Sequence, residues 1–361
     1  MAGRLCSYAG HDGRGFLFSV RQPCSVAEAL GDAGFSKAGR GRLAARGQVG
    51  VVHGGSLPSE LPPGQASGRA SGRASGQTSD QLSGQPSGDI FARLPGALLP
   101  AALPARLVPG DLLAIRPLVT REAGPARPEP VRVLWRDDFA LAVDKPQGLL
   151  VHGDGTGAPT LTARVQGLLA REAAAGEACP VPQALQRLDV DTSGIVLFSL
   201  TEEFQPHFDA LVAGDGMRKT YLAVVRGAFD RARCDVDAPI GRDRHDVRRM
   251  RVSPGGQAAL THVRRLAVTP DGSRSLLAVT LGTGRRHQIR VHLAHLGFPI
   301  ENDPLYGRVE TPGGLMLHAV REEFAHPVTG AHVLVDAGWP ARFSAWFDAT
   351  LWDGVVGDWA R

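Results

Sequence analysis

The chain of 361 residues contains no run of about 18 consecutive apolar residues, the length that a membrane-spanning helix requires. Its first residues also lack the basic and then apolar layout of a signal peptide. The four cysteines, Cys6, Cys24, Cys179 and Cys234, include no CxxC pair, which argues against a zinc knuckle and against a disulfide scaffold. We therefore expect a cytoplasmic protein with no membrane partner.

Lysine is scarce, because Lys37, Lys145 and Lys219 are the only lysines among 40 lysine and arginine residues. Arginine suits phosphate and planar groups, although a high-GC codon bias would produce the same excess. With a net charge of +4, composition alone is weak evidence for a nucleic-acid partner. The length and the hydrophobic fraction of 43% allow two or more domains with substantial cores.

Low-complexity sequence divides the chain into parts. Residues 66–89 repeat a four-residue unit of small and polar residues, ASGR ASGR ASGQ TSDQ LSGQ PSGD. Such a segment buries too little apolar surface to offset its ordering entropy, so we predict a disordered insert over 64–89. A Pro-rich linker is predicted over 119–130. The remaining parts are an N-terminal module at 1–118, a large domain at 131–345 and a tail at 346–361.

The N-terminal module carries a faint pattern of its own. Residues 25–36 have helical spacing, and 39–55 pass from a basic helix into a short β-rich segment. After the insert, 106–117 predict a strand pair around a Pro-Gly-Asp turn. This degenerate α/β module, with its GxVxVxxG and later VxPGDxLxI, resembles the small RNA-binding domain first named for a protein of the small ribosomal subunit. A capping subdomain without RNA contacts is the alternative.

The large domain mixes β-rich segments with short helices. Residues 131–151 predict a hairpin, and 285–297 predict a helix that ends at Gly297. Further strands are predicted at 193–200, 218–227 and 275–282. Because crossover helices do not regularly separate the strands, the pattern favours an α+β fold with a mixed, mostly antiparallel sheet over a doubly wound fold.

The stretch LDVDTSG at 188–194 allows three hypotheses for its aspartates. An aspartic protease needs a second carboxylate at close range, but the chain has no second copy of D-T-S-G. A phosphoryl-transfer pair of Asp189 and Asp191 needs an apolar strand that ends at the first aspartate, whereas Arg187 stands two residues before it. In the third hypothesis Asp189 alone is the chemical group, kept ionised by arginines, and its neighbours hold the loop. A loop salt bridge without chemistry is the remaining alternative.

Five ordered segments resolve this choice: DKPQGLLVH (144–152), RLDVDTSG (187–194), RKTYLAVVRG (218–227), LGTGRRHQIRVHLAHLGFPIENDPLYG (281–307) and LMLHAV with FAHPVTG (315–330). They resemble, in the same order, the motifs KPxGxxVH, RLDxxTSG, KxYxAxVxG, TGRxHQIRxHxxxxGxPIxGDxxYG and LHAxxLxFxHPxTG of RNA pseudouridine synthases of the RluA type. Any one match could arise by chance, but the ordered set across roughly 131–335 is highly specific.

The resemblance implies an enzyme that isomerises a uridine of ribosomal or transfer RNA to pseudouridine, with no metal and no cofactor. The target base is expected to leave the RNA stack. By resemblance Asp189 is the nucleophile or base, Tyr221 lies against the flipped base, and Arg285 pairs with the aspartate. Substrate-binding residues are expected at Arg187, Thr192, His287, Gln288, Arg290 and Leu317, with Arg290 as the second candidate for the ion pair. We expect a monomer; a catalytically silent RNA-binding protein of ribosome assembly is the alternative.

Two further groups of residues are candidates for binding a ligand. His292 and His295 could share a helix face, but His287 points elsewhere and no carboxylate is suitably interleaved, so we expect no metal. The segment 241–253 is expected to grip phosphate or pry open a stem, with a solvated loop as the alternative. Its arginines are Arg242, Arg244, Arg248, Arg249 and Arg251.

The chain departs from the family motifs at two positions in the large domain. Gln186 stands where the family usually has histidine, and Asn302 replaces the glycine of the GD pair. Neither departure touches Asp189, Tyr221 or Arg285, but the first could alter how the catalytic loop is held.

Overall fold

The structure is a computed structural model that describes residues 4–11, 15–54, 99–116, 130–173, 179–214 and 216–352. The predicted insert lies entirely outside the described residues, as do nearly all of the predicted linker and the tail from residue 353 onward. Among the described helices, none is long and apolar enough to cross a bilayer.

The N-terminal module consists of short strands and two helices. Its strands are β1 (Cys6–His11), β2 (Phe16–Val20), β3 (Cys24–Ser25), β4 (Val49–Val52), β5 (Leu99–Pro100), β6 (Arg106–Leu107) and β7 (Leu112–Ile115). Its helices are α1 (Val26–Asp32) and α2 (Lys37–Ala45). The main sheet has the order β1-β2-β7-β4-β5, and β3 pairs with β6. The predicted turn does separate β6 from β7, but these two strands pair with other strands and not with each other.

Both N-terminal helices begin at serine caps. The side chain of Ser25 accepts from the backbone N–H of Glu28 at 3.2 Å, and the Glu28 carboxylate accepts from the N–H of Ser25 at 2.7 Å. This reciprocal pair is a capping box. Ser36 caps α2 by accepting from the N–H of Gly39 at 3.1 Å.

The large domain is built on one ten-stranded sheet. Its strands are β8 (Arg132–Arg136), β9 (Ala140–Lys145), β10 (Gln183–Ala184), β11 (Ser193–Ser199), β12 (Met217–Arg226), β13 (Arg233–Asp237), β16 (Leu260–Val268), β17 (Arg274–Leu281), β18 (Leu317–Ala325) and β19 (His332–Asp336). A separate hairpin is formed by β14 (Ile240–Arg242) and β15 (Met250–Val252). The strand order is β13-β16-β17-β12-β18-β11-β9-β8, with β10 on β11 and β19 on β18.

Only one of the described strand pairs in this sheet, β11 with β18, is parallel. The predicted α+β class with a mixed, mostly antiparallel sheet is therefore confirmed. The helices of the domain are α3 (Leu161–Glu172), α4 (Gln205–Ala213), α5 (Gln288–His295) and a short 3₁₀ helix (Ala341–Ala345).

The parallel junction between β11 and β18 requires a glycine. Gly194 stands opposite Ala319 and has a φ of 114°, a region that L-residues with side chains rarely adopt. A Cβ at this position would lie 2.2 Å from the Ala319 carbonyl oxygen. The glycine that closes LDVDTSG thus lets β11 enter the sheet directly beside β18.

An aromatic cluster joins the N-terminal module to the large domain. The ring of Phe16 lies 4.9 Å from that of Phe139 and 4.7 Å from that of Phe204, measured between centroids. The imidazole Nε2 of His207 lies 2.9 Å from the Ala33 carbonyl oxygen. Aromatic pairs at such distances add to the free energy gained by burial, so the module is packed on the large domain through a shared core.

Candidate active site

A pocket is lined by the loop before β11, strand β12, the start of β18 and the segment that leads into α5. The residues predicted from the sequence as site residues all line this pocket: Arg187, Asp189, Thr192, Tyr221, Arg285, His287, Gln288, Arg290 and Leu317. They come from segments far apart in the chain, so the fold brings the predicted set to one place.

The loop that carries Asp189 is held by a buried lysine. Lys145 has no exposed surface, and its ammonium donates to the carbonyl oxygens of Pro146, Leu149 and Val190 at 3.0, 2.8 and 3.0 Å. These contacts use all three of its N–H donors. Burial lowers the pKa of Lys145 to about 8, against the opposing effect of the nearby aspartates. The lysine was part of a motif in the sequence, but no role had been predicted for it.

Two further hydrogen bonds hold the same loop. The side-chain amide of Gln147 donates to the carbonyl oxygens of Asp191 at 2.8 Å and of Leu315 at 2.6 Å. Within the loop, the N–H of Thr192 donates to the Asp189 carbonyl oxygen at 3.0 Å. The loop backbone is therefore bonded at Asp189 and at Asp191, and the Asp189 carboxylate is presented from a preorganised turn.

The carboxylate of Asp189 forms its ion pair with Arg290. The distance from Arg290 Nη1 to Asp189 Oδ2 is 3.1 Å, and the arginine side chain is only 2% exposed. The same guanidinium donates Nε and Nη2 to the two carboxylate oxygens of Asp303, both at 2.8 Å. Burial by itself lowers the pKa of Arg290. The hydrogen bonds and negative charges of Asp303 and Asp189 have the larger combined effect and raise this pKa above its ordinary value. The pocket thus contains a fixed positive charge beside the aspartate.

The expectation that Arg285 pairs with the aspartate is wrong. The Nε of Arg285 donates to the Ala258 carbonyl oxygen at 3.0 Å. The physical reason is a change of chain direction at His287, whose φ of 56° is left-handed and which precedes the first residue of α5. Arg285 lies before this bend on the pocket rim, whereas Arg290 lies within the helix on its buried face.

Gln288 is occupied by contacts that shape the segment before α5. Its Oε1 accepts from the Thr283 hydroxyl at 2.7 Å and from the N–H of Arg285 at 3.0 Å. Its Nε2 donates to the Leu260 carbonyl and to the Thr261 hydroxyl, both at 2.9 Å. Substrate binding by Gln288 stays a prediction, and in the structure its side chain fixes the conformation of the segment before α5.

His287 lies between the aspartate and Tyr306. Its Nε2 is 3.8 Å from Asp189 Oδ1, and its Nδ1 is 2.8 Å from the Tyr306 hydroxyl. Burial lowers the pKa of His287 below its ordinary value, with Asp189 opposing that shift and Arg290 adding to it. A neutral imidazole therefore stands beside Asp189 near pH 7.

Tyr221 and Leu317 form the inner wall of the pocket. They are 7% and 3% exposed, and their strands are adjacent in the sheet. Burial raises the pKa of Tyr221, and the charges of Glu322 and Asp189 raise it further. The phenol is consequently neutral and can donate a hydrogen bond to a group that enters the pocket.

The two departures from the family motifs each have a structural counterpart. Asn302 has a φ of 59°, and asparagine tolerates this left-handed region better than most residues other than glycine. Gln186 donates its amide to Glu322, whose side chain is 1% exposed. Burial raises the pKa of Glu322 to about 7, although Lys219 and Gln186 both act to lower it. Gln186 therefore anchors the segment before Asp189 by its hydrogen bond to a buried carboxyl group.

The arginine-rich segment forms the β14–β15 hairpin next to the pocket. The N–H of Met250 donates to the Tyr306 hydroxyl at 2.7 Å, and the guanidinium of Arg249 lies 5.3 Å from the centre of the Tyr306 ring. Arg248 pairs with Asp246 at 2.7 Å. The remaining exposed arginines of the hairpin are Arg242, Arg244 and Arg251.

The histidine considered for metal binding in α5 has other partners. Nδ1 of His292 lies 2.8 Å from the Thr261 hydroxyl, and Nε2 lies 2.9 Å from the Ala238 carbonyl oxygen. Both ring nitrogens therefore contact protein atoms, and the residue ties α5 to the strands beneath it.

Comparison with known proteins finds a matching family model, similar sequences and a similar solved structure. A family model described as RNA pseudouridylate synthase matches residues 139–295. An uncharacterized RNA pseudouridine synthase of Bacillus subtilis, YhcT, is 36% identical over 216 residues, which are 58% of this chain and 68% of that protein. Ribosomal large subunit pseudouridine synthase D of Xanthomonas campestris is 38% identical over 228 residues, with coverage of 58% and 66%. The solved structure of human RNA pseudouridylate synthase domain containing 1 matches 62% of this chain and 90% of its own with a TM-score of 0.51, and at 24% identity it supports the fold alone.

Proposed function

Since the chain belongs to the RNA pseudouridine synthase family of the RluA type, we propose that it isomerises a specific uridine with Asp189 as the acting carboxylate. The observation that carries this assignment is the 3.1 Å ion pair between Asp189 and the buried Arg290 inside the pocket. The guanidinium holds the carboxylate in place within the pocket, and a carboxylate can act as nucleophile or base.

The proposed reaction breaks the glycosidic bond between ribose C1′ and uracil N1, and it forms a bond between C1′ and C5. The C5 proton is lost and N1 gains a proton, so the product is an isomer of the substrate. Asp189 could add to C6 of the ring, attack C1′ or abstract the 2′ proton of the ribose. All three routes need one carboxylate at the base and ribose, and Asp189 is the only carboxylate among the described residues that line the pocket.

The other pocket residues have proposed roles that follow from their surroundings. Tyr221 is neutral and would lie against the base, where its hydroxyl can donate or relay a proton, and Leu317 would form an apolar wall for the ring. Arg187 is exposed at the pocket, where it would contact the displaced nucleotide. Such a pocket accepts a base only after the base has left its stack, so we propose base flipping as part of the reaction.

We propose ribosomal or transfer RNA as the substrate class. The name of the Xanthomonas campestris relative, ribosomal large subunit pseudouridine synthase D, favours ribosomal RNA. The exposed arginines of the β14–β15 hairpin would contact phosphates beside the flipped base. The division into an N-terminal module at 1–118 and a catalytic domain at 131–345 belongs to the same proposal, with any RNA contact of the module still to be tested.

The function is tested by comparing RNA from cells with and without the gene. Carbodiimide-dependent reverse-transcription stops should disappear at one or a few uridines when the gene is deleted, and return with the wild-type gene. The Asp189→Asn variant should bind RNA but should not restore the stops. If no stop disappears on deletion, the chain is better explained as a catalytically silent RNA-binding protein.

A further inference from the structure

One arginine outside every family motif contacts Leu317, which lines the pocket, and Ser193, which follows the pocket residue Thr192. Arg342 lies in the short 3₁₀ helix, beyond the matched residues 139–295. Its Nη2 donates to the Ser193 hydroxyl at 2.7 Å and to the Leu317 carbonyl oxygen at 3.0 Å. A single amino group thus bridges the two strands that meet beneath the pocket.

The two acceptors are the first residues of the parallel strands β11 and β18. Ser193 follows the Asp189 loop directly and stands opposite His318 in the sheet. Leu317 opens β18 and contributes the apolar wall of the pocket. The bridge therefore joins the end of the loop that carries the carboxylate to the strand that carries the wall.

A buried histidine completes this arrangement. The Ser193 hydroxyl lies 2.8 Å from His318 Nδ1. Because Arg342 can only donate, the hydroxyl accepts from it and is free to donate its own proton to Nδ1. Burial, together with the charges of Arg342 and Arg132, lowers the pKa of His318 to about 3, so its ring stays neutral and can accept this bond. With the imidazole proton on Nε2, the bonds run from Arg342 to Ser193 and on to His318.

The charge of Arg342 is held in a partly desolvated place. Burial lowers the pKa of Arg342 to about 10, and the charge of Asp144 acts in the opposite direction. Its positive charge is therefore retained near pH 7, where hydrogen bonds to it are stronger than bonds between neutral groups. Such a bond can hold two strands in register more firmly than a solvent-exposed contact.

We propose that Arg342 is a positioning residue of the active site, which fixes the Asp189 loop against the wall strand through Ser193 and Leu317. This inference rests on the proposed function. Its physical basis is that a reacting group displaced by about 1 Å can cost about 10²-fold in rate without any loss of substrate binding. Arg342 is not among the described residues that line the pocket, so its effect passes through the Asp189 loop and strand β18.

The test compares pseudouridine formation by Arg342→Met, Ser193→Ala and the double variant on the identified RNA. We expect Arg342→Met to lower kcat by about 10- to 100-fold, with KM changed by less than about threefold. The double variant should lose little more than Arg342→Met alone, because both changes remove the same bond. Arg342→Lys should recover part of kcat, since an ammonium can still donate to one of the two acceptors.

A matched control is provided by Arg321, which lies on β18 but pairs with Asp336 and stacks over Trp352. Arg321→Met should reduce stability while leaving kcat per folded molecule close to that of the wild type. The proposal is overturned if Arg342→Met behaves like this control, or if it raises KM and leaves kcat unchanged, as a phosphate contact would. An inactive wild-type enzyme would instead contradict the proposed function, and so the two failures are distinguishable.

Discussion

The Asp189 loop and the β14–β15 hairpin both approach the pair of His287 and Tyr306, but they are held in different ways. Buried donors hold the loop, above all Lys145 with its three carbonyl partners. The hairpin is tied to the site mainly through Tyr306 and exposes most of its arginines to solvent. A carboxylate that makes or breaks bonds must be fixed to within a fraction of an ångström. Phosphate binding requires only positively charged side chains, which need not be fixed. Variants of the two regions should therefore affect different kinetic constants.

The largest difference in kcat should appear between variants of the two aspartates of the loop. Asp189→Asn is expected to reduce kcat by at least about 10³-fold, because the amide can act neither as base nor as nucleophile. Asp191→Asn should change kcat by less than about tenfold, since at this position only the backbone carbonyl bonds to Gln147. Single-turnover pseudouridine formation measures both variants, and similar losses in the two would refute the assignment to Asp189.

The second largest effect is expected when the buried Lys145 is replaced. Lys145→Met removes a donor from three carbonyl oxygens, of which that of Val190 keeps the N–H of Gly148, and we expect the free energy of unfolding to fall by about 2–4 kcal/mol. The rate should fall as well, because the loop keeps only one of these two bonds at Val190. Urea denaturation and kcat per folded molecule are the measurements, with the exposed Lys37→Met as control. Unchanged stability in Lys145→Met would contradict the role assigned to the ammonium.

The buried carboxyl group beneath the loop should make stability depend on pH. The folded-state pKa of Glu322 is raised to about 7, above its value in an unfolded chain. Its favourable contribution is thus complete at low pH and is lost as pH rises through about 7, where folding must bury a carboxylate. Glu322→Gln should therefore gain stability relative to the wild type between pH 5.5 and pH 8.5, by on the order of 2 kcal/mol. Glu172→Gln, at a surface pair with Arg136, is the control, and the same pH trend in both variants would contradict this explanation.

The smallest effects are expected in the hairpin. Arg244→Gln should raise KM by a few-fold at physiological salt and should leave kcat unchanged, because it removes one phosphate contact. The slope of log affinity against log salt should fall by about one unit or slightly less. Arg136→Gln, on the far edge strand β8, should leave the slope unchanged. A loss in kcat for Arg244→Gln would show that the hairpin helps to shape the active site.

Much of the site could be predicted because it is encoded in short segments. The motif around Asp189, the strand with Tyr221 and the segment with Leu317 each carry a local pattern, and the α+β class follows from the absence of regular crossover helices. The helix cap at Ser25 is likewise local, since its partner Glu28 is three residues away.

The partner of the aspartate could not be chosen in this way. Arg285 and Arg290 stand in one segment, and their directions depend on the left-handed backbone at His287 and on where α5 begins. The roles of Lys145 and Arg342 were also hidden, because Val190 and Ser193, the acceptors that connect them to the Asp189 loop, are distant in the chain.

The sequence by itself determined the family, the fold class and nine of the side chains that line the pocket, since these depend on local motifs and on the order of the motifs and elements along the chain. Only the tertiary structure decided which arginine pairs with Asp189. It also showed that Lys145, Gln147 and Arg342 support the loop. The physical reason is that hydrogen bonds and ion pairs between distant segments depend on directions and distances of a few ångströms, and these are set when the strands pack.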